Sequence, residues 1–302
     1  MRLTLLLALA ACGRLHFDAL GDGAAPPDAA PCTTWSPFSA PVALPGPVNS
    51  PADDWAPTPA AGELELYFYS FRASSHANLF RATRTTLAEQ FDAGTALAEL
   101  DNNANAGTPT VTADDLDIIY ETDETGTGDL YEAIRGSRAV PFGAPQLIAS
   151  LSSPVDADGD PFVSADGLRL VYVSSNNSIG GLDIFETTRP DRGTEFAPPT
   201  AHLELDSPSD EYSPTLSADG LEIFFASARA GGFGGFDIYT ARRTVVGQPF
   251  ANATHVDELS SPLDDVGVRL TPDGTTLYLN YQTMTSGGAN ADMWTARRTC
   301  LD

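Results

Sequence analysis

One unit of about 50 residues is written five times between residues 49 and 300, and a chain that repeats at this period repeats in space. A proline near the start of the unit falls at Pro57, Pro109, Pro161 and Pro214, with Val268 in its place in the last copy, in steps of 52, 52, 53 and 54 residues. A second landmark joins an acidic or amide residue to an apolar and an aromatic one. It reads Asn78-Leu79-Phe80, Asp129-Leu130-Tyr131, Asp183-Ile184-Phe185, Asp237-Ile238-Tyr239 and Asp292-Met293-Trp294. Six positions after each of these first residues stands an arginine: Arg84, Arg135, Arg189, Arg243 and Arg298. The units run over 49–99, 100–150, 151–204, 205–258 and 259–300.

Within a unit the β-forming residues come in short runs, such as 221–226 and 237–240, separated by turn signals. Ala-Asp-Gly stands at 165–167 and 218–220, and Pro-Asp-Gly at 272–274. No helical period is sustained after residue 32. Four strands fit each unit: one from the proline, one after Asp-Gly, one from the second landmark, and one after Pro-Phe, as over 249–259. Four-stranded units at this period form the blades of a propeller, whose edges stay short and protected. An all-β fold of five four-stranded antiparallel blades is therefore expected, and a hydrophobic content of 42% suffices for its core.

The run from the proline through Ser-x-Asp-Gly, an apolar strand, a Gly-rich loop and Asp-Ile-Tyr resembles the WD40-like, TolB-type propeller repeat of bacterial envelope proteins. The likeness covers 50–299 and is sharpest in the last three units. In the first, Gly62-Glu63 stands for Asp-Gly, and in the second Asp114-Asp115 does. The resemblance implies a fold and an envelope setting. It implies no particular function, because a fold hosts many.

The last unit stops after its third strand, at Thr299, while a spare Pro-Phe strand over 37–48 precedes the first unit. That N-terminal strand is expected to complete the fifth blade. An uninterrupted unit joins the same two strands through 245–248, so closing the ring brings Cys32 beside Cys300, and a Cys32–Cys300 disulfide replaces the missing link. Ahead of the propeller, which spans 32–302, residues 12–31 are rich in Ala, Asp, Gly and Pro and read as a flexible tether. Residues 1–11 are a short apolar run ending in Leu9-Ala10-Ala11 before Cys12, which resembles a bacterial lipoprotein signal. The resemblance implies cleavage before Cys12, its lipidation and, with Gly13 following, export towards the outer membrane.

The 16 basic residues are all arginine and face 41 acidic ones, a formal net charge of -25. Such a chain repels nucleic acid, and its contact with a membrane is left to the lipid anchor. In antiparallel blades the loop into the first strand and the loop between the second and third share one face. That face gathers Asp53, Asn105, Asp156, Asp210 and Asp264 with the landmark residues Asp129, Asp183, Asp237 and Asp292, and is the candidate surface for a cation or a basic partner. On the opposite face the arginines are expected to pair with turn aspartates: Arg189 with Asp166, Arg243 with Asp219, and Arg298 with Asp273.

Asp156, Asp158 and Asp160 alternate as in a calcium loop, without the sixth-position glycine and closing glutamate of an EF-hand, and are the metal candidates. No cofactor other than calcium is expected. The four histidines fall at unrelated points of the repeat, and no nucleophile, zinc-protease or phosphate-loop motif is present, so no catalytic residue is singled out. Acids made equal by the repeat do not give the two unequal pKa values that acid–base catalysis needs. The expected role is thus a non-enzymatic binding or scaffolding propeller of the cell envelope, its partner a protein, peptidoglycan or a glycan. Two other readings stay open: a carbohydrate-active hydrolase using channel carboxylates, and a calcium-dependent recognition module.

Overall fold

The computed structural model describes residues 32–60, 62–176, 179–285 and 288–302. The signal, the tether and Cys12 lie outside them. The described residues form five four-stranded antiparallel sheets and no α-helix. Blade one is β2 (Asp54–Ala60), β3 (Glu65–Ser70), β4 (Asn78–Thr83) and β5 (Thr95–Ala96), and blade two is β6 (Ala106–Val111), β7 (Asp117–Thr122), β8 (Asp129–Ile134) and β9 (Gln146–Leu147). Blade three is β10 (Asp158–Val163), β11 (Arg169–Ser174), β12 (Asp183–Thr188) and β13 (Thr200–Ala201). Blade four is β14 (Glu211–Leu216), β15 (Glu222–Ser227), β16 (Asp237–Arg242) and β17 (Thr254–His255). In blade five, β18 (Asp265–Leu270), β19 (Thr276–Thr285) and β20 (Gly288–Arg297) are completed by β1 (Val42–Ala43), which pairs Val42 with Thr295 and Ala43 with Trp294.

The first strands β2, β6, β10, β14 and β18 contact one another in a ring around the axis. Between successive blades the core is apolar: Val171, Ile184, Phe225 and Tyr239 pack in one cluster, and Ile119, Leu130, Leu170 and Tyr172 in another. Each fourth strand is only two residues long, shorter than the Pro-Phe runs promise. Such an outer strand pairs on one side only, and its Pro-Phe portion packs its ring inward instead of extending the ladder.

Every first strand carries a bulge at the same place, where its register with the second strand slips by one residue. The repeated proline sits inside that bulge, where its missing N–H breaks no ladder bond. The residue before it has a left-handed backbone: Ala56 (φ 52°), Thr108 (φ 44°), Asp160 (φ 48°), Ser213 (φ 52°) and, in blade five, Gly267 (φ 67°). A side chain in this region costs energy that the rest of the ring must supply, and such strain gathers at functional sites.

The repeated arginines hold the outer ring; Arg135 does so partly through Asp115 of its own turn, but in blades three to five the turn aspartates are not the partners. Arg243 donates from Nε to the Gly220 carbonyl (2.7 Å) and from Nη1 to Glu186 of the preceding blade (2.8 Å). Arg189 reaches the Gly167 carbonyl and Glu132 in the same way, and Arg298 the Gly274 carbonyl and Glu222. Asp166, Asp219 and Asp273 instead accept from their own turns, from Ser164 and the Leu168 N–H, Ser217 and the Leu221 N–H, and Thr271 and the Thr275 N–H. The expected Arg189–Asp166, Arg243–Asp219 and Arg298–Asp273 pairs are therefore corrected: the turn carboxylates are occupied in capping their turns. Each guanidinium also lies over the ring of the Pro-Phe strand, Arg135 on Phe142 (4.3 Å), Arg189 on Phe196 (4.4 Å) and Arg243 on Phe250 (4.5 Å). In blade five the rings are Trp35 and Phe38, 4.4 and 4.9 Å from the Arg298 guanidinium, so the N-terminal segment supplies what the last unit lacks. Cys32 and Cys300 are joined, with Cα atoms 5.7 Å apart.

Candidate active site

At the mouth of the channel the repeat stops repeating. The bulge position is Ala56, Thr108, Asp160, Ser213 and Gly267 in turn, so only blade three places a carboxylate there. The fifth residue of the second strand, which faces the bulge, is Tyr69, Glu121, Val173, Ala226 and Asn280, so only blade two places an acid there. Two residues after the bulge stand Thr58, Thr110, Phe162, Thr215 and Arg269. The channel thus holds two carboxylates, from the adjacent blades two and three, and one buried guanidinium reaching in from blade five, each absent from its counterparts in the other blades.

These groups interlock through the strained backbone. The Asp160 N–H donates to Glu121 Oε2 at 3.0 Å. Asp160 Oδ2 accepts from the Ser213 N–H (2.7 Å) and from Ser213 Oγ (3.0 Å), and that hydroxyl accepts from the Gly267 N–H (3.0 Å). Asn280 continues the ring, with Oδ1 accepting from the Ala56 N–H at 2.6 Å. A Cβ at Gly267 would come within 2.3 Å of that Oδ1, which is why blade five carries glycine at this point. Arg269 lies below, 1% exposed, donating to the Pro161 carbonyl (2.9 Å) and the Val268 carbonyl (2.9 Å).

Burial, with the Asp160 charge beside it, raises the Glu121 carboxyl to about 7. Burial also raises Asp160, while Arg269 and the two Ser213 donors oppose the rise. Arg269 is lowered to about 10 by its own burial against the pull of both acids. Burial thus pushes both carboxyls upward, Glu121 into the neutral range, and they differ in their partners: Glu121 accepts the Asp160 N–H, while Asp160 takes both donors of Ser213 on one oxygen.

A cavity of about 300 Å³ opens above them, lined by Trp55, Tyr69, Tyr212, Phe236, Asp264 and Gln282 with Glu121 and Asp160. Trp55 stacks on Tyr69 (centroids 6.5 Å apart) and Tyr212 meets Phe236 edge to face (5.1 Å). Beside it a groove of about 220 Å³ runs out between blades one and two, sharing Tyr69 and Glu121 with the cavity and adding Phe71.

The acids singled out from the repeat lie around this mouth in other company. Asp53, Asn105, Asp210 and Asp264 each accept the backbone N–H of Ala291, Ala77, Leu182 and Phe236 from the preceding blade, at 2.9–3.1 Å. Asp129 accepts from Thr125, Asp183 from the Ile179 N–H (2.6 Å) and Asp237 from the Phe233 N–H (2.9 Å), closing the loops that precede them. Asp156 and Asp292 lie on the same face. Asp156, Asp158 and Asp160 part company: Asp160 turns into the channel, while Asp158 is buried with Ser174 and Asp129 around it. Glu121, Arg269, Asn280 and Tyr69 were not singled out. Their signal in the sequence is a charge or a polar group at a repeat position that is apolar or small in most other units.

No protein-family model matches the sequence, and no curated protein does. Solved structures do match the fold. A thermostable family-43 glycoside hydrolase shares 16% identity at a TM-score of 0.56, over 84% of this chain and 91% of that one. Zg3597, a family 117 glycoside hydrolase from Zobellia galactanivorans, shares 12% at 0.57, over 87% and 90%. TolB from Acinetobacter baumannii shares 13% at 0.51, over 82% of this chain but 55% of that one, so this chain spans about half of that TolB. At these identities the likeness is one of fold. The expectation of a non-enzymatic scaffold is nonetheless corrected: it rested on acids equal by repeat, whereas the channel holds acids that are not, in a fold shared with glycoside hydrolases.

Proposed function

We propose that the protein is a glycoside hydrolase working at the channel mouth, with Glu121 as general acid and Asp160 as its anionic partner. The observation that carries this reading is the pair of unrepeated carboxylates, Glu121 and Asp160, linked through the Asp160 N–H in the wall of one aromatic-lined cavity. Hydrolysis of a glycosidic bond needs one carboxyl to protonate the leaving oxygen and a second, ionised one either to activate water or to act on the anomeric carbon. Glu121, half-buried in the cavity wall, gives its proton to the leaving oxygen. Asp160, oriented by Ser213, serves the charge that develops at the sugar ring. The aromatic walls of Trp55, Tyr69, Tyr212 and Phe236 offer flat apolar faces for pyranose or furanose rings, and the adjoining groove leaves room for further sugar units.

The disulfide supports passage through an oxidising compartment, hence export. In this reading Cys12 is the lipidated residue that keeps the enzyme at the envelope, and its substrate is a glycan met there or outside the cell.

The test is release of reducing ends from xylo-oligosaccharides and arabinose-substituted xylans, with 4-nitrophenyl glycosides alongside. The wild-type protein is expected to turn over at least one of them. Glu121→Gln and Asp160→Asn should lose roughly 10²–10⁴-fold in kcat, the range for removing a positioned proton-transfer group, while melting as cooperatively as wild type. Folded protein inactive on every substrate, or an Asp160→Asn variant as active as wild type, would sink the proposal.

A further inference from the structure

Away from the channel, in the crevice between blades three and four, three more carboxylates meet. Asp183 opens β12, Asp206 lies in the segment leading to β14, and Glu211 is the first residue of β14. One oxygen of each lies within 4.8 Å of the other two. Asp183 is 1% exposed and Glu211 fully buried. Glu211 is served by Ser207, Ser227 and Arg229. Asp183 uses Oδ2 for the Ile179 N–H, but its Oδ1 is buried without a hydrogen-bond partner, and so are both oxygens of Asp206.

The other four junctions show what the middle position ordinarily does. There the equivalents of Asp206 are Asn49, Asp101, Ser152 and Ser260. Asn49 Oδ1 accepts the Met293 N–H (2.9 Å), and Ser260 Oγ accepts the Ile238 N–H (3.1 Å) and donates to the Val256 carbonyl (3.0 Å). Ser152 Oγ donates to the Ile148 carbonyl. Asp101 is half-exposed beside His76, at a junction whose other two positions are Asn78 and Ala106. Only the junction of blades three and four carries carboxylates at all three positions, and there the middle one caps nothing.

Three clustered carboxyl groups that leave three buried oxygens unanswered favour a positive charge among them, since burying unpaired carboxylate is costly. Arg229 touches Glu211 but leaves Asp183 and Asp206 unanswered. The neighbouring His202 is taken up by Glu186 and Glu204. The donor set is oxygen only, which suits a hard cation and not zinc or copper. Oxygens bound to one calcium at about 2.3–2.6 Å lie up to about 5 Å from each other, a spread the three carboxylates match. We propose that Asp183, Asp206 and Glu211 bind a calcium ion that clamps blade three to blade four. Solvent completes its shell from the open side of Asp206.

The test uses chelator-stripped protein. Calcium titrated into it by calorimetry is expected to bind at one site per chain, and a hundred-fold excess over Kd should raise the melting temperature by roughly 5 °C. Magnesium, which resists losing its water shell, should do far less. Asp206→Ser installs the residue that blade five already carries, so it should fold, melt in chelator at or above wild type, and lose the calcium response. Absence of calcium binding at millimolar concentration overturns the proposal, as does an Asp206→Ser protein that responds like wild type. A magnesium response equal to calcium's overturns the choice of ion. A stability that rises on acidification with no calcium effect would assign the cluster a shared proton instead.

Discussion

Glu121 ties activity to stability through one proton. Its carboxyl is raised from an ordinary 4.5 to about 7, so between those values the folded chain holds a proton that the unfolded chain has released. The folded state then binds more protons, and this group's contribution makes stability fall as pH rises through that window. Glu121→Gln cannot ionise. Its melting temperature is expected to match wild type at pH 4 and exceed it at pH 8, even though its activity is lost; a variant melting below wild type at pH 8 would contradict the assigned direction. The alkaline limb of the wild-type activity profile should fall near 7 for the same reason. Glu121 could have been found in the sequence by aligning the five units and asking where a charge replaces Tyr69, Val173, Ala226 or Asn280. What alignment alone could not supply is that this column and the bulge column meet, because that contact depends on the register of β7 and the slip in β10.

At the scale of the strand and turn, the repeated arginines act between blades. Arg243, with its side chain wholly buried, joins the turn before β15, Glu186 of blade three and the ring of Phe250. Arg243→Ala should cost about 3 kcal/mol by denaturant unfolding, since it leaves a buried carboxylate short of a partner. Arg242→Ala, one residue away and half exposed at 3.4 Å from Glu222, should change stability by less than about 0.5 kcal/mol. Equal losses at the two positions would show that the clasp does not matter. The strands themselves were legible, because proline, Asp-Gly and the aromatic landmark recur in phase. The arginine's partner was not, since Glu186 stands 57 residues from Arg243, in another blade, whereas Asp219 lies in its own unit.

For the whole molecule, closure is the step on which everything else depends. Strand counting was enough to assign 37–48 to the fifth blade and to bring Cys32 to Cys300, because a ring with one strand missing has one place to put it. The disulfide spans 268 residues, and in the chain-entropy view a loop of this length stabilises by at most about 6 kcal/mol. Reduction, or Cys32→Ser with Cys300→Ser, is expected to lower the melting temperature and broaden the transition as β1 and β20 part first. An unchanged transition in reductant would mean that Phe38 under Arg298 and the β1–β20 pairing close the ring unaided.

The same closure fixes which way the mouth looks. Trp35 bridges to Cys300 and packs against Gly274 in the turn between β18 and β19, on the side of the ring opposite the aromatic cavity. The chain enters the propeller at Cys32, on that rear side. Were the protein anchored through its N-terminal segment as proposed, the attachment would join the ring at Cys32, on the side opposite the mouth that holds Glu121 and Asp160.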